Sequence, residues 1–490
     1  MNPRDRYGRH LTHPGLPLVL VAALYAAAQV VAVTTRIGLG WDETVYVSQV
    51  SPHVPTAFFS APRARGVTLL VAPIVGLTSS LTGLRLYMTA LSSAGLVLAY
   101  WPWTRLLRPV TVALAALLLI VPWVTQFYGN EVMPNVYVAY GAVAAVGWFA
   151  HTIRGTNRLA PVWLVLSLAF VALMRPGDAA WLVLPLLGAI AFAPRRRRIA
   201  LAAVVAGSVA GSAQWIVEAY ARFGGPLQRL EASSRTEGGL GWHPEGVRME
   251  LHALNHRLLC RPCTGATWHV APFAAWWPLM PALAAAGLVL AARGGRGRLV
   301  ALPAVCGAVI GASYLLLVGY AAPRFLIPAY ALLAIPTAEL VRGAATLGQG
   351  RWRLATAGVV AAGLAVHAGA QQIVLGHMVR AQHKARQDYG VIAGELRGLG
   401  VRAPCTLAGE QAPVLAFYAG CRSMQIAGND ASTSASGLLA QASVTHLAVV
   451  EHTNPRPRYT RGWRHYTFTT PTGREWRVYV PRRPPAAPRS

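Results

Sequence analysis

Residues 16–46 read LPLVLVAALYAAAQVVAVTTRIGLGWDETVY, an apolar run that ends near Val33 and is followed by the adjacent carboxylates Asp42 and Glu43. A helix of about 20 apolar residues crosses the roughly 30 Å hydrocarbon core of a bilayer. A cleaved signal peptide is not indicated, because many similar runs follow and no clear small-residue cleavage site is present. The stretch therefore predicts a first membrane helix that opens onto an acidic loop.

The rest of the chain repeats the apolar pattern. Of 490 residues, 54% are hydrophobic and 12% are charged, whereas soluble domains carry about 25% charged residues. The fold class expected is an α-helical polytopic membrane protein with about eleven transmembrane helices. We place these helices at residues 16–33, 84–101, 110–127, 136–150, 160–174, 179–193, 199–220, 273–292, 299–320, 325–341 and 354–375.

The arginines predict the sidedness of these helices, because short loops rich in Lys and Arg stay cytoplasmic. All the short arginine clusters fall on the cytoplasmic side only if the apolar stretch 67–81 does not cross the membrane, so we interpret that stretch as a juxtamembrane helix. The clusters contain Arg4/Arg6/Arg9, Arg105/Arg108, Arg154/Arg158, residues 195–198, Arg293/Arg296/Arg298 and Arg342/Arg351/Arg353. No single basic face with interleaved aromatic residues is seen, so nucleic acid is not an expected partner despite the net charge of +27.

This topology predicts a cell-membrane protein with a cytoplasmic N-terminus. Residues 1–375 form a transmembrane module with outer loops 34–83 and 221–272, residues 376–480 form a small extracytoplasmic α/β domain, and the Pro- and Arg-rich tail 481–490 is expected to be disordered. In the domain we predict helices at 390–399 and 414–418, strands at 405–408 and 446–450, and a hairpin of 466–470 with 476–480. No Walker-type or dinucleotide fingerprint is present, which argues against direct use of nucleotides.

Four of the five cysteines lie in predicted outer segments, where disulfides persist. We favour a Cys405–Cys421 disulfide in the small domain. For Cys260 and Cys263 a local disulfide is preferred to a zinc site, because only one cysteine pair is present and the spacing of the nearby histidines matches no zinc finger. Cys306 lies in a predicted membrane helix and is expected to be a small buried hydrophobic residue.

Asp42 and Glu43 are the most informative acidic residues of the chain. Two adjacent carboxylates at a membrane surface usually belong to a solvated loop. However, ionisable residues at the edge of a helix bundle are costly and tend to mark substrate paths, and aromatic residues accompany this pair at Trp41, Tyr46 and Phe58-Phe59. A catalytic role is therefore the interpretation that we prefer.

This arrangement resembles the integral-membrane glycosyltransferases of the GT-C class, which include protein O-mannosyltransferases and bacterial lipid A aminoarabinose transferases. These enzymes place an acidic motif in the first outer loop, before juxtamembrane helices. The resemblance extends to Glu131 in FYGNEVMPN (127–135), Arg175 in LMRPGD (173–178) and Arg324 in PRFLIP (323–328). It covers residues 16 to about 340, and relatives also carry an outer α/β tail. The chain departs from the pattern at HVP (53–55) and APR (61–63), where many relatives have a His-x-Pro-Pro-like sequence, and this leaves the substrates open.

The resemblance implies transfer of a sugar from a polyprenyl-phosphate donor to an envelope acceptor, which is a protein, a lipid or a polysaccharide. Asp42 is then the expected general base, and Glu43 or Glu131 is expected to orient the acceptor or to help hold a divalent cation. No other cofactor is implied. Arg324, followed by Arg175 and Arg63, is expected on the donor phosphate, because a guanidinium stays charged and meets phosphate oxygens bidentately.

Other interpretations of the same residues remain open at this point. Arg324 is alternatively an interfacial anchor, Glu131 a charge partner of a helix N-terminus, and Arg175 a partner of Asp178 across a turn. The whole chain is alternatively a transporter or flippase of envelope lipids, although such proteins usually carry charges in mid-membrane. A third alternative is a non-catalytic membrane scaffold.

Overall fold

The structure is a computed structural model that describes residues 15–192, 195–255, 257–266, 268–428 and 430–482. It consists of a helical bundle followed by a small α/β domain, which we call the C-terminal domain (residues 399–482). The arginine cluster at residues 4–9, His256, which is one of the histidines near Cys260, and most of the predicted disordered tail (483–490) lie outside the described residues.

Each predicted apolar run is helical in the bundle, although the run 110–127 is divided between two helices. Its α-helices are Leu16–Gln29, Trp41–Ser48, Gly66–Leu77, Leu81–Tyr100, Pro109–Ile120, Trp123–Asn130, Asn135–Arg154, Ala160–Met174, Pro176–Ala191, Arg197–Phe223, Pro226–Thr236, Gly246–Leu254, Trp276–Arg293, Gly297–Leu317, Ile327–Ala345 and Arg351–Gly398. Short turns of π- or 3-10 helix extend several of them, at Val30–Thr34, Trp101–Arg105, Pro272–Ala274 and Pro323–Leu326.

In the described part of the chain, eight helices are long and apolar enough to cross a membrane. A ninth span requires joining Pro109–Ile120 to Trp123–Asn130, and these two helices meet at an angle of 78°. The break follows from Pro122, because a proline inside a helix removes a backbone donor and clashes with the preceding turn. The predicted segment 110–127 is therefore not one straight helix.

Three apolar helices are shorter than a typical span. Ala160–Met174 and Pro176–Ala191, with 15 and 16 residues, rise only about 22–24 Å, and both pack inside the bundle against neighbouring helices. Gly66–Leu77 has 12 residues and rises about 18 Å, which is consistent with the predicted juxtamembrane helix. The expected number of about eleven spans stays a prediction.

The last bundle helix, Arg351–Gly398, continues without a break for 48 residues. We call it the long helix. Leu375 and Met378 belong to the core of the bundle, whereas Ile392 and Leu396 belong to the core of the C-terminal domain. The predicted boundary between residues 375 and 376 therefore falls inside one helix, and the predicted helix 390–399 is its last part.

The C-terminal domain is built on a five-stranded sheet with the strand order β2-β1-β3-β5-β4. The strands are β1 Cys405–Gly409, β2 Arg422–Ser423, β3 His446–Glu451, β4 Arg464–Thr469 and β5 Glu475–Val480. β1 is parallel to both β2 and β3, whereas β5 runs antiparallel to β3 and to β4. The predicted strands, the hairpin and the helix at 414–418 are confirmed, the last as part of Ala412–Ala419. β2 and the helix Ala435–Gln441 were not predicted.

The cysteines form the pairs that the sequence favours. Cys405–Cys421 joins the start of β1 to the residue before β2, and Cys260–Cys263 closes a local turn in the outer loop. Cys306 is a buried free cysteine in the helix Gly297–Leu317.

Candidate active site

The short helix Trp41–Ser48 directs the adjacent carboxylates of Asp42 and Glu43 to different sides. Gly40 is its N-cap residue, and the Gly40 amide donates to the Glu43 carboxylate at 2.8 Å. Successive residues of a helix point about 100° apart. As a result, Glu43 turns into the protein interior, whereas Asp42 faces a cavity of about 860 Å³.

Asp42 lies between two arginines. Its Oδ1 is 2.9 Å from Arg63 Nη2, and its Oδ2 is 3.2 Å from Arg324 Nη2. The Asp42 side chain is still 31% exposed, so a substrate can reach it. Burial favours the neutral acid, but the charges of Arg63 and Arg324 outweigh it and hold the pKa of Asp42 below its ordinary range. The carboxylate is therefore ionised at neutral pH.

Arg324 and Arg175 both lie near one aromatic ring beside the cavity. Their guanidinium carbons each lie 5.2 Å from the centre of the Phe325 ring. Arg324 also lies over the ring of Tyr128. Arg175 Nε is 3.5 Å from the Asp178 carboxylate, so the alternative interpretation of this pair, an ion contact across a turn, is present in the structure. Both arginines nevertheless line the cavity.

The loop 221–272, which the sequence predicts to be an outer loop, helps to hold Arg324 in position. Cys260 and Ala321 exchange backbone hydrogen bonds as an isolated antiparallel bridge, and Leu240 and Val318 form a second isolated antiparallel bridge. The segment before Arg324 is thereby fixed to the loop. The loop also contributes Arg261 to the cavity lining, where its guanidinium lies 4.6 Å from the centre of the Tyr320 ring.

The C-terminal domain forms the other side of the cavity. Trp41 Nε1 donates to Asp430 Oδ2 at 2.8 Å, and Arg63 Nη2 lies 3.6 Å from the same oxygen. Leu39 donates its backbone amide to the Tyr418 hydroxyl at 3.0 Å. The loop 34–83 is therefore in direct contact with the domain, and the cavity lies between domain and bundle.

Glu43 and Glu131 lie in a separate buried ion cluster behind the cavity. Glu43 is hydrogen-bonded by Arg85 at 2.5 and 2.9 Å, by Arg386 at 3.1 Å and by the Val132 amide at 2.8 Å. Arg386 also pairs with Glu131 at 2.7 Å. Neither glutamate is among the residues that line the cavity. Of the three predicted catalytic carboxylates, the structure thus brings only Asp42 together with Arg63, Arg175 and Arg324.

These carboxylates do not form the oxygen-rich site that a hard divalent cation requires. Within the described ranges, no three His, Cys, Asp or Glu side chains are grouped so that they could hold a metal ion. Both oxygens of Asp42 face guanidinium groups, and Glu43 and Glu131 share Arg386. The Cys260–Cys263 disulfide removes the thiolates that a zinc site would use.

Three residues of this region were missed by the sequence reasoning. Arg85 is fully buried and belongs to the helix Leu81–Tyr100. An isolated arginine in an apolar run indicates a buried ion pair or a functional site, so this residue could have been predicted. Arg386 and Asp430 carry no comparable signal. Each stands in a polar stretch, and its importance arises from contacts with the first outer loop, more than 340 positions away.

No family model matches the chain, and no curated protein matches it. Solved structures do. ArnT from Cupriavidus metallidurans bound to undecaprenyl phosphate superposes with a TM-score of 0.66 at 13% identity, over 94% of this chain and 97% of ArnT. The archaeal oligosaccharyltransferase AglB from Archaeoglobus fulgidus, in complex with an inhibitory peptide and a dolichol-phosphate, gives a TM-score of 0.53 at 13% identity, over 97% of this chain and 74% of AglB.

The chain has the GT-C fold. The match to ArnT includes nearly the whole length of both proteins, so both the bundle and most of the C-terminal domain lie within the common architecture. At this level of identity the resemblance concerns the fold. The expectation of a GT-C-like membrane protein with a small C-terminal α/β domain is confirmed.

Proposed function

We propose that the protein is a membrane glycosyltransferase that moves a sugar from a polyprenyl-phosphate donor to the hydroxyl group of an extracytoplasmic acceptor, with inversion at the anomeric carbon. The observation that carries the proposal is the position of Asp42, which lies between Arg63 and Arg324 in a cavity of a GT-C fold. Binding of undecaprenyl phosphate by ArnT, which has the same fold, supports the lipid-phosphate donor.

In this reaction, the acceptor oxygen forms a bond to the anomeric carbon while the bond from that carbon to the phosphate oxygen breaks. The electron pair of the broken bond leaves with the polyprenyl phosphate, whose negative charge increases. Arg324 and Arg175 are the cations suited to stabilise that charge, because they face the cavity and stay protonated. The acceptor proton goes to Asp42, which is ionised before the reaction.

Glu43 and Glu131 have a positioning role in this proposal. They hold the helix Trp41–Ser48 and the segment after Asn130 in place through Arg85 and Arg386. Arg63 is shared between Asp42 and Asp430, so it is better placed to orient the base than to bind the phosphate alone. The sugar and the acceptor are not assigned by these contacts.

The test is transfer of radiolabelled sugar in proteoliposomes that contain the purified protein. Polyprenyl-phosphate sugars are offered with an envelope extract as acceptor, and the labelled product is separated from the donor. The proposal requires a new glycosidic product that depends on Asp42. Movement of intact donor across the bilayer without a product would instead support the transporter alternative.

A further inference from the structure

The side of the cavity formed by the C-terminal domain differs in chemistry from the side formed by the bundle. We call this face the roof and define it by the side chains of Glu410, Gln425, Asp430, Glu451 and Asn454, which all line the cavity. The opposite side presents four arginines together with the carboxylates of Asp42 and Glu237, whereas the polar side chains of the roof are carboxylates and amides. A cavity with this division has separate places for an anionic group and for a partner that carries hydrogen-bond donors.

The roof lies where α/β sheets commonly bind ligands. β1 is parallel to β2 on one side and to β3 on the other, and the chain visits β2 before it crosses to β3. The carboxyl end of β1 is therefore a topological switch point, and crevices at such points are the usual ligand sites of parallel sheets. Glu410 directly follows β1, and Glu451 and Asn454 lie at and just after the end of β3.

The carboxylates of the roof already accept hydrogen bonds from neighbouring groups. Glu410 accepts hydrogen bonds from the backbone amides of His452 and Thr453 at 3.1 and 2.8 Å. Asn454 Nδ2 donates to Glu451 at 3.0 Å. Because these carboxylates have partners, the roof is not built for a free cation. Its oxygens and amides suit neutral hydroxyl groups, which both donate and accept hydrogen bonds.

The same geometry argues against an extended peptide as the partner. A peptide that binds by adding a strand needs an unpaired sheet edge. In this sheet the edge strands are β2 and β4, whereas Glu410, Glu451 and Asn454 of the roof lie at the ends of the inner strands β1 and β3. Aromatic side chains of Trp41 and Tyr459 also line the cavity, and they offer flat apolar surfaces beside the polar groups.

The order of contacts assigns the roof to the acceptor. Arg324 contacts Asp42, Asp42 contacts Arg63, and Arg63 contacts Asp430 of the roof. If the donor phosphate is at Arg324, as the proposed function holds, the roof lies on the other side of the base. Resting on that function, we propose that the roof is the acceptor subsite and that the acceptor is a carbohydrate whose hydroxyl groups bond to Glu451 and Asn454.

The experiment measures two ligands independently on the full-length protein in nanodiscs. Short oligosaccharides of glucose, mannose and galactose probe the roof by saturation-transfer NMR, and undecaprenyl phosphate probes the arginine side. The variants are Glu451→Gln and Asn454→Ala. Glu475→Gln is the matched control, because Glu475 is an exposed carboxylate of the same domain that does not line the cavity.

We expect at least one oligosaccharide to bind the wild type. Its Kd should rise about tenfold in each roof variant, the factor expected for loss of about one hydrogen bond, and should not change in Glu475→Gln. Undecaprenyl phosphate should bind all the variants equally, which also shows that they are folded. If no oligosaccharide binds, or if a Ser/Thr-containing peptide binds instead, the roof proposal is wrong while the proposed function stands. If undecaprenyl phosphate does not bind the wild type, the proposed function fails. Whether the roof binds carbohydrate is then decided by the oligosaccharide titration alone.

Discussion

Arg324 Nη2 lies 3.2 Å from Asp42 Oδ2, although the two residues are 282 positions apart in the chain. Asp42 comes from the loop 34–83, and Arg324 comes from the turn that begins a late bundle helix. With Arg63 on the second carboxylate oxygen, Asp42 has a cation on each side. A phosphate that binds Arg324 competes with Asp42 for this guanidinium, and Asp42 becomes a stronger base when the competition succeeds.

The first prediction concerns Asp42→Asn. The amide cannot accept the proton of the acceptor hydroxyl, and loss of a general base typically lowers the rate about 10²- to 10⁴-fold. The measurement is transfer of radiolabelled sugar at saturating donor. Thermal stability in detergent should stay close to that of the wild type, because the Asp42 side chain is partly exposed. Near-normal turnover in this variant would show that another group serves as the base.

The same variant should bind undecaprenyl phosphate at least as tightly as the wild type. Removing the carboxylate leaves Arg63 and Arg324 without their competing anion, so more positive charge is available to the phosphate. A binding titration with the intact lipid measures this effect. Markedly weaker binding would contradict the view that Asp42 and the donor phosphate share Arg324.

A second prediction concerns the arginines. Arg324→Gln and Arg175→Gln each remove a cation from the cavity, and loss of a charged hydrogen bond costs about 1.5–3 kcal/mol, or roughly 10- to 100-fold in affinity. The Kd for undecaprenyl phosphate should rise by this factor. Arg324→Lys should restore part of the loss, because it keeps the charge without the bidentate geometry. The control is Arg464→Gln, on an exposed position of β4; if it weakens binding equally, the effect is not specific to the cavity.

A third prediction concerns the pH dependence. Arg63 and Arg324 outweigh burial and lower the pKa of Asp42, so the ionised form persists to a lower pH than in an ordinary aspartate, whose pKa is about 3.9. Activity that needs ionised Asp42 should be lost only as the pH falls through that lowered value. In Arg63→Gln one opposing charge is gone, and the acidic limb of kcat/KM should move to higher pH. An unmoved limb would mean that a different group titrates.

A fourth prediction separates Glu43 from its neighbour Asp42. Glu43→Gln makes the same chemical change one residue further on, but it leaves the buried Arg85 without a full counter-charge. Breaking a buried ion pair costs about 3–5 kcal/mol, so the melting temperature should fall clearly, in contrast to Asp42→Asn. Comparable stability of the two variants would place Glu43 in a more open environment than the structure gives it.

The fold was largely predictable from the sequence, because most helices of the bundle correspond to apolar runs that are separated by arginine clusters. The strands that begin at Cys405 and His446 were also predictable, because each is a short apolar run with turn residues on either side. The break after Ile120 was not recognised, since the residues on both sides of Pro122 are apolar. The continuity of the long helix was hidden by the change in composition near Ala381, because a helix that leaves the membrane exchanges apolar residues for polar ones without changing its backbone.

The candidate site was predictable only in part. Arg175 and Arg324 stand beside prolines and Asp42 stands two residues after Gly40, all at helix ends, and such local patterns can be seen without coordinates. The division of labour between Asp42 and Glu43 cannot be read in this way, because it depends on the direction in which one short helix points. Asp430 was invisible for a related reason: its only distinction is the contact with Trp41 and Arg63.

The unbroken long helix ties the angular orientation of the C-terminal domain to the membrane. Each residue of an α-helix advances the rotation by about 100°, and Arg386 on this helix must meet Glu43 while Ile392 meets the domain core. A one-residue insertion between Met378 and Arg386 would turn the domain and everything that it carries away from the base. Only insertions close to a whole number of helical turns would keep the domain at the same rotation relative to the bundle. Length variation among natural homologues should therefore be rare in this segment and frequent in the loops of the domain.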